Sequence, residues 1–221
     1  ASEFIERYDC VAICGCYRYG STALSLKITK WLQSHASATW LNEFFTCHHY
    51  VRDDHAGDIA AGYLPDDYLA YGDDDHAISL LTARPIPDHI MRLKLDWIQD
   101  TMRSTKLVLK IDPDDWRGAT GELLQRSIID NPRIYKIGLN RQDVGNALIS
   151  FLIGMHFAAW NFSEAELRTE HERSITPIVP RGDFIQDMWN HMLMHNNWLW
   201  YMHGKLDHLV WYDEISDLRI P

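Results

Sequence analysis

Two stretches of the chain combine residue types that could handle an anion. The first is Gly15-Cys16-Tyr17-Arg18-Tyr19-Gly20-Ser21-Thr22, which joins two glycines, one guanidinium and two neighbouring hydroxyls. Glycines let backbone approach an anion closely, and the unpaired N–H groups at a helix start point at it with the helix dipole behind them. The second is Asn140-Arg141-Gln142-Asp143, which opens a helical pattern that reaches Ser150. Arg141 is planar and permanently charged, and at the end of a strand, with a hydroxyl further along the next helix, it would make a phosphate clamp. Between them lies Asn42-Glu43-Phe44-Phe45, one acid beside large apolar residues. Partial burial there would raise the carboxyl pKa, as a general base requires.

These residues need elements to place them. Val11 to Cys14 reads as a buried strand, and Leu24, Ile28, Trp31 and Leu32 share one face of the helix that follows the glycine loop. Ala38 to Trp40 is a short second strand leading to Glu43. Asp88 starts a helix with Ile90, Leu93 or Lys94, Trp97, Ile98 and Met102 on one side, and Leu107 to Ile111 is a buried strand ending at Asp112-Pro113-Asp114-Asp115. Leu123 to Ile129 reads as a helix, Ile134 to Leu139 as a strand, and the Arg141-led helix continues through Phe151, Ile153, Phe157 and Trp160. Ser163 to Pro180 is polar, in the manner of a surface segment or lid. Asp183 to His203 is an aromatic-rich helix whose stripe suits core packing, with Trp198 or Trp200 available to line a sugar site. His208 to Ile215 reads as a closing strand. The irregular stretch of about residues 48–88 carries runs of aspartate, which usually form a solvated surface; Arg52, His55 and Tyr63 are its candidates for acceptor recognition.

At 221 residues, with nine Trp, ten Tyr and 46% apolar residues, the chain is most economically one well-packed domain, 1–221. A net charge of −10 argues against a nucleic-acid-binding surface, while leaving room for one local basic pocket. No apolar run has the length of a membrane span and no signal-like N-terminus is visible, so a soluble, for example cytoplasmic, protein is expected. Ala1 is not a start residue, which fits a processed or shortened chain. Cys10, Cys14, Cys16 and Cys47 show no disulfide pattern and read as reduced, packed thiols. A metal site from Cys14, Cys16, Cys47 and His48 or His49 is the alternative; Cys-x-Cys on a strand would point both thiols the same way. The aromatic content leaves room for a homodimer.

The first stretch invites two comparisons. Against the nucleotide-triphosphatase loop G-x-x-x-x-G-K-S/T, Gly15, Gly20 and Thr22 match, while Ser21 stands where the lysine would be. Losing that lysine weighs against ATP·Mg²⁺ phosphoryl transfer. Tyr17 to Leu24 resembles instead the PRSGSTLL 5′-phosphosulfate loop of sulfotransferases that use 3′-phosphoadenylyl sulfate (PAPS), with Tyr17 and Tyr19 replacing proline and serine.

Further segments follow in that family's order. Asn42-Glu43-Phe44-Phe45 is similar to the P-x-E-Y/F-F segment of the trehalose 2-sulfotransferase-like branch, whose glutamate is taken as the base, and Val108 to Ile111 is similar to its V-K-I/L strand. Arg141 to Ser150 resembles the 3′-phosphate motif, although the family's serine lies one position nearer the arginine, where this chain has Ile149. Leu209 to Ile215 resembles the closing L-x-Y-E-x-L strand, with Trp198 matching a tryptophan that often precedes it and Glu214 in a structural position.

The resemblance spans about Val11 to Ile215. It implies an α/β, P-loop-type three-layer fold with a central, mainly parallel sheet flanked by helices. The implied function is transfer of a sulfuryl group from PAPS, without a metal, to a hydroxyl of a carbohydrate or glycolipid-like acceptor. Arg18, Tyr19, Gly20, Ser21 and Thr22 would hold the 5′-phosphosulfate, Arg141 and Ser150 the 3′-phosphate, and Glu43 would take the acceptor proton beside Arg18 and Lys110. A P-loop nucleotide kinase or triphosphatase, and a non-catalytic binding protein that keeps the fold, are the alternatives.

Overall fold

Strands alternate with helices in the computed structural model, which describes residues 2–16, 19–41, 45, 88–111, 118–156 and 182–218. In chain order the elements are α1 (Ser2–Arg7), β1 (Cys10–Gly15), α2 (Ser21–Gln33), β2 (Ala38–Leu41), α3 (Asp88–Thr101), β3 (Lys106–Ile111), α4 (Gly118–Leu124), β4 (Ile134–Asn140), α5 (Val144–His156), α6 (Gly182–Tyr201) and β5 (His208–Trp211). A π-helical turn over Gln125–Ile129 continues α4, and 3₁₀ turns over His203–Lys205 and Tyr212–Glu214 flank β5.

Among the described residues five strands form one sheet in the order β2-β3-β1-β4-β5, and their pairings are all parallel. This is the layered α/β fold, a central parallel sheet flanked by helices, that the alternation of elements predicts. β1 is the middle strand, paired along one edge from Cys10↔Leu107 to Cys14↔Ile111 and along the other from Cys10↔Ile134 to Gly15↔Leu139. All six of its residues are buried, as expected of a parallel strand covered on both faces.

Two clusters cover those faces. On one side Val11, Ile13, Val108, Ile137 and Leu139 meet Leu24, Ile28 and Leu32 of α2, Val144, Ala147 and Phe151 of α5, and Met188 and Met192 of α6. The α2 spacing repeats every three to four residues, and burying each of these side chains contributes roughly 1.5–3 kcal/mol. On the other side Cys10, Ala12, Cys14, Leu107 and Leu109 meet Met91, Leu95 and Ile98 of α3, and also Leu199 of α6. Since Met188 and Met192 sit in the first cluster, α6 reaches from one to the other.

Several boundaries depart from the sequence pattern. The closing strand stops at Trp211, where the Glu214 carboxylate accepts the Trp211 N–H at 2.9 Å and folds the next residues into a 3₁₀ turn. The helix expected from Leu123 already starts at Gly118, and its second half is π-helical. On α3 it is Lys94 that is buried, while Leu93 is 41% exposed. Cys14 and Cys16 do not point the same way: β1 ends between them at Gly15, so Cys14 joins the second cluster and Cys16 the first. Cys10, Cys14 and Cys16 are buried, reduced thiols. No helix among the described residues is long and apolar enough to cross a membrane.

The amino edge of the sheet is tied by one carboxylate. Asp9 takes two bonds from the Arg133 guanidinium, Nε to Oδ2 at 2.7 Å and Nη2 to Oδ1 at 2.8 Å, and one from Lys106 Nζ at 2.9 Å. It thereby links the starts of β1, β3 and β4. Burial pushes the Asp9 carboxyl up, but the hydrogen bonds and charges of Arg133 and Lys106 outweigh it and hold the group below its usual range. A carboxyl depressed in the folded state stabilises above its unfolded pKa, and that contribution disappears as pH falls through the folded value. Asp9→Asn is expected to lower stability by about 2–3 kcal/mol at pH 7. In urea unfolding, the gap from the parent protein should close as pH drops below about 4.

Candidate functional site

The carboxyl ends of parallel strands are where α/β sheets bind ligands. Here that edge brings together the ends of β1, β4 and β5, with Gly15 paired to Leu139 and Asn140 to Trp211. The next residues along β4 and β5, Arg141 and Tyr212, therefore leave the sheet side by side. The Arg141 guanidinium carbon lies 4.1 Å from the centroid of the Tyr212 ring, a close cation–π contact.

Gly20 forms the other wall. It caps α2 in the left-handed region, with φ of 82°, a conformation that suits glycine. A methyl group there would lie 2.7 Å from Ile215 Cδ1 and 3.0 Å from Cδ2 and Cε2 of Tyr212. The backbone of the loop thus packs directly against the aromatic ring that carries Arg141. Its carbonyl accepts the Leu24 N–H at 3.0 Å, while no side chain caps α2. The N–H groups of a first helical turn have no partner within the helix.

Ser21 and Thr22 start that turn. Ser21 is buried, and its Cβ lies 3.3 Å from where a methyl on Gly15 would be. The lysine position of a triphosphatase loop is thus packed against β1. Thr22 is half-buried.

Tyr19 is fully buried in the first cluster. Its ring meets His195 edge-on at 5.7 Å, its hydroxyl points to the Met192 carbonyl at 3.5 Å, and its N–H goes to the Cys16 carbonyl at 3.2 Å. Burial first, then Cys16, raises the phenol above its usual pKa, with Asn196 and the Arg141 charge opposing. The Tyr19 side chain accordingly packs in the core against α6.

The α6 helix also holds Arg141. Asn196 Nδ2 donates to the Arg141 carbonyl at 3.3 Å, while the Arg141 N–H donates to Asn140 Oδ1 at 2.8 Å. Asp143 then caps α5 by accepting the Asn146 N–H at 2.8 Å. Ser150 lies six residues beyond Val144 and is half-buried, whereas Ile149 is 56% exposed. It is therefore about 9 Å along the helix axis from its start. Lys110 is 5% exposed and pairs with Ile13 one residue before the β3 edge. Its side chain is enclosed by the fold and does not snorkel to solvent. Arg18, Glu43 and the residues Cys47, His48 and His49 lie outside the described residues. Among the described residues no group of three His, Cys, Asp or Glu could hold a metal.

Tyr212, Asn196 and His195 escape sequence reasoning. Tyr212 falls within a segment that reads as strand, and the other two lie in an aromatic helix whose default reading is core.

No protein-family model matches the chain, and no curated protein matches its sequence. Solved structures do resemble its chain path. A shikimate kinase from Bacteroides thetaiotaomicron has a TM-score of 0.44 and 8% identity, over 94% of this chain and 92% of that one. A gluconokinase from Sinorhizobium meliloti 1021 has a TM-score of 0.33 and 11% identity, over 89% and 98%. An uncharacterized protein from Eubacterium ventriosum ATCC 27560 has 0.39 and 11%, over 94% and 93%. At such identities the likeness is one of chain path and not of residue roles.

Two measurements check this corner. Gly20→Ala places a methyl in contact with Ile215 and Tyr212 at a strained φ, and should cost about 1–3 kcal/mol in urea unfolding. Second, burial and then the neighbouring His191 push the His195 imidazole down to about 3, against a weaker opposing effect of the Leu139 carbonyl. Its neutral form therefore stabilises the fold above pH 6.5, the ordinary value, and this is lost as pH falls towards 3. His195→Phe should flatten the acid limb of the stability profile by up to about 1.4 kcal/mol per pH unit.

Proposed function

We propose that the chain is a transferase that binds a nucleotide-borne anionic group at the carboxyl edge of β1 and β4, with PAPS as donor and a hydroxyl of a carbohydrate or glycolipid-like molecule as acceptor. The observation that carries this reading is the Arg141 guanidinium stacked on Tyr212, against the Gly20 turn that opens α2. It supports a cation and a set of helix-start N–H groups serving one anionic ligand. Ser21, buried against Gly15, supports a donor whose phosphosulfate is met by backbone and hydroxyl donors, since no lysine stands at that position.

In this reading Gly20, Ser21 and Thr22 bind the 5′-phosphosulfate, with Arg18 offsetting its charge. Arg141 binds the 3′-phosphate, with Ser150 as the accompanying hydroxyl. Glu43 takes the acceptor proton as the acceptor oxygen attacks sulfur and the bond to the bridging phosphate oxygen breaks, leaving adenosine 3′,5′-bisphosphate. Lys110 is the buried lysine on the β3 side. Such in-line transfer depends on positioning and on stabilising the departing phosphate more than on covalent chemistry.

The second reading is a P-loop kinase or triphosphatase. It draws on the Gly15 and Gly20 spacing, Thr22 at the Mg²⁺-hydroxyl position and the placement of β1 between β3 and β4. Kinase is also the class named for two of the similar structures, a likeness of chain path alone.

Calorimetric titration separates the two. With adenosine 3′,5′-bisphosphate, ATP·Mg²⁺ and AMP as ligands, the bisphosphate should bind alone, and Arg141→Ala should weaken it by about ten- to a hundredfold, as expected for loss of a charge-assisted contact. Preference for ATP·Mg²⁺ would replace the sulfuryl reading with the kinase one. Binding of none of the three would remove both.

A further inference from the structure

The corner around Tyr212 is built more firmly than a chance contact between an exposed arginine and a tyrosine. Tyr212 opens a 3₁₀ turn that is fixed at both ends. At its start the Glu214 carboxylate accepts the Trp211 N–H at 2.9 Å. Beyond its end Lys27 Nζ, from α2, donates to the carbonyls of Ile215 at 2.9 Å and Ser216 at 2.7 Å. The turn is therefore held to the same helix whose N-terminus borders the loop. Within it the Tyr212 ring packs against the Gly20 turn and also meets the Arg141 guanidinium, and Ile215 packs beside Gly20 as well.

An arginine side chain has several freely rotating bonds, so a guanidinium near a strand end has no fixed direction by itself. A ring at 4.1 Å removes much of that freedom. Asn196 and Asn140 hold the Arg141 backbone through its carbonyl and N–H. Those bonds fix where the side chain starts, and the ring acts on where its head group ends.

We propose that Tyr212 is a positioning residue that fixes the Arg141 guanidinium beside the Gly20 turn, so that cation and loop address one ligand, the loop at its 5′-phosphate and Arg141 at its 3′-phosphate. The proposal rests on the reading of Arg141 as an anion clamp. Its specificity lies in the aromatic face: the phenol hydroxyl is dispensable and the ring is not. Glu214 and Lys27 act one step further out, by presenting the turn.

A double-mutant cycle tests this. Tyr212→Phe and Tyr212→Leu are made in the parent chain and in the Arg141→Ala chain, and titrated calorimetrically with adenosine 3′,5′-bisphosphate and with inorganic pyrophosphate. Tyr212→Phe should keep affinity within about twofold, and Tyr212→Leu should lose about five- to thirtyfold, the range of a cation–π contact. In the Arg141→Ala chain Tyr212→Leu should cause no further loss, because the coupling between the two residues is then already gone. Equal losses in both chains would show that Tyr212 only props the loop, and would overturn the proposal, as would undiminished affinity in Tyr212→Leu. If Tyr212→Leu does not fold, Tyr212→Met, with its adaptable side chain, is read in the same way. Pyrophosphate binding without bisphosphate binding would end the PAPS reading while the cycle still judges Tyr212. A parent chain that binds neither probe would end both.

Discussion

The constraint on which the rest depends is the complete burial of β1 between two parallel neighbours. Both edges of the strand are used by β3 and β4, and both faces are covered by apolar clusters. Polar backbone can leave it only where the pairing stops, at Gly15. The chain must then turn in a small space, since Leu139 and the start of α2 already crowd that glycine. From this follow the left-handed Gly20, the uncapped first turn of α2 and the meeting of the loop with the ring on which Arg141 stacks.

Rigidity is supplied from two directions. At the amino edge, Asp9 gathers Arg133 and Lys106 and so fixes the starts of three strands. Across the carboxyl edge, α6 reaches the loop through Tyr19 and the β4 end through Asn196. A neutral, buried His195 between Tyr19 and Trp198 is what this arrangement holds inside. Burial without a compensating charge keeps the imidazole uncharged, so its contribution to folding stability falls with acid.

Transfer of a phosphoryl or sulfuryl group asks a protein for charge more than for reactivity. The group carries its charge into the transition state, and fixed donors aimed at it contribute most when they need not reorganise. In the proposed reading the glycine-bordered helix start would be of that kind, and the arginine stacked on a ring would hold the rest of the donor in place. The same parts would serve either donor, which is why the identity of residue 21 and the measured ligand, and not the sheet order, distinguish the two readings.

The alternation of apolar strands with amphipathic helices was legible in the sequence, because period and burial are local properties of the chain: β1, α2, β3 and β4 lie where their patterns place them. The two glycines at 15 and 20 and the strand-end Arg141 were also visible, as spacing. Local pattern could not tell that Glu214 would end β5 early, that Cys14 and Cys16 would part at a strand end, or that Lys94 would be the buried member of its pair. Nor could it show that Tyr19, next to the left-handed Gly20, would turn into the core. Those outcomes depend on which surfaces meet. Tyr212 lies far from both Gly20 and Arg141 along the chain, and only the parallel order β1-β4-β5 brings it against them, since neighbouring strand ends share an edge whatever their separation in sequence.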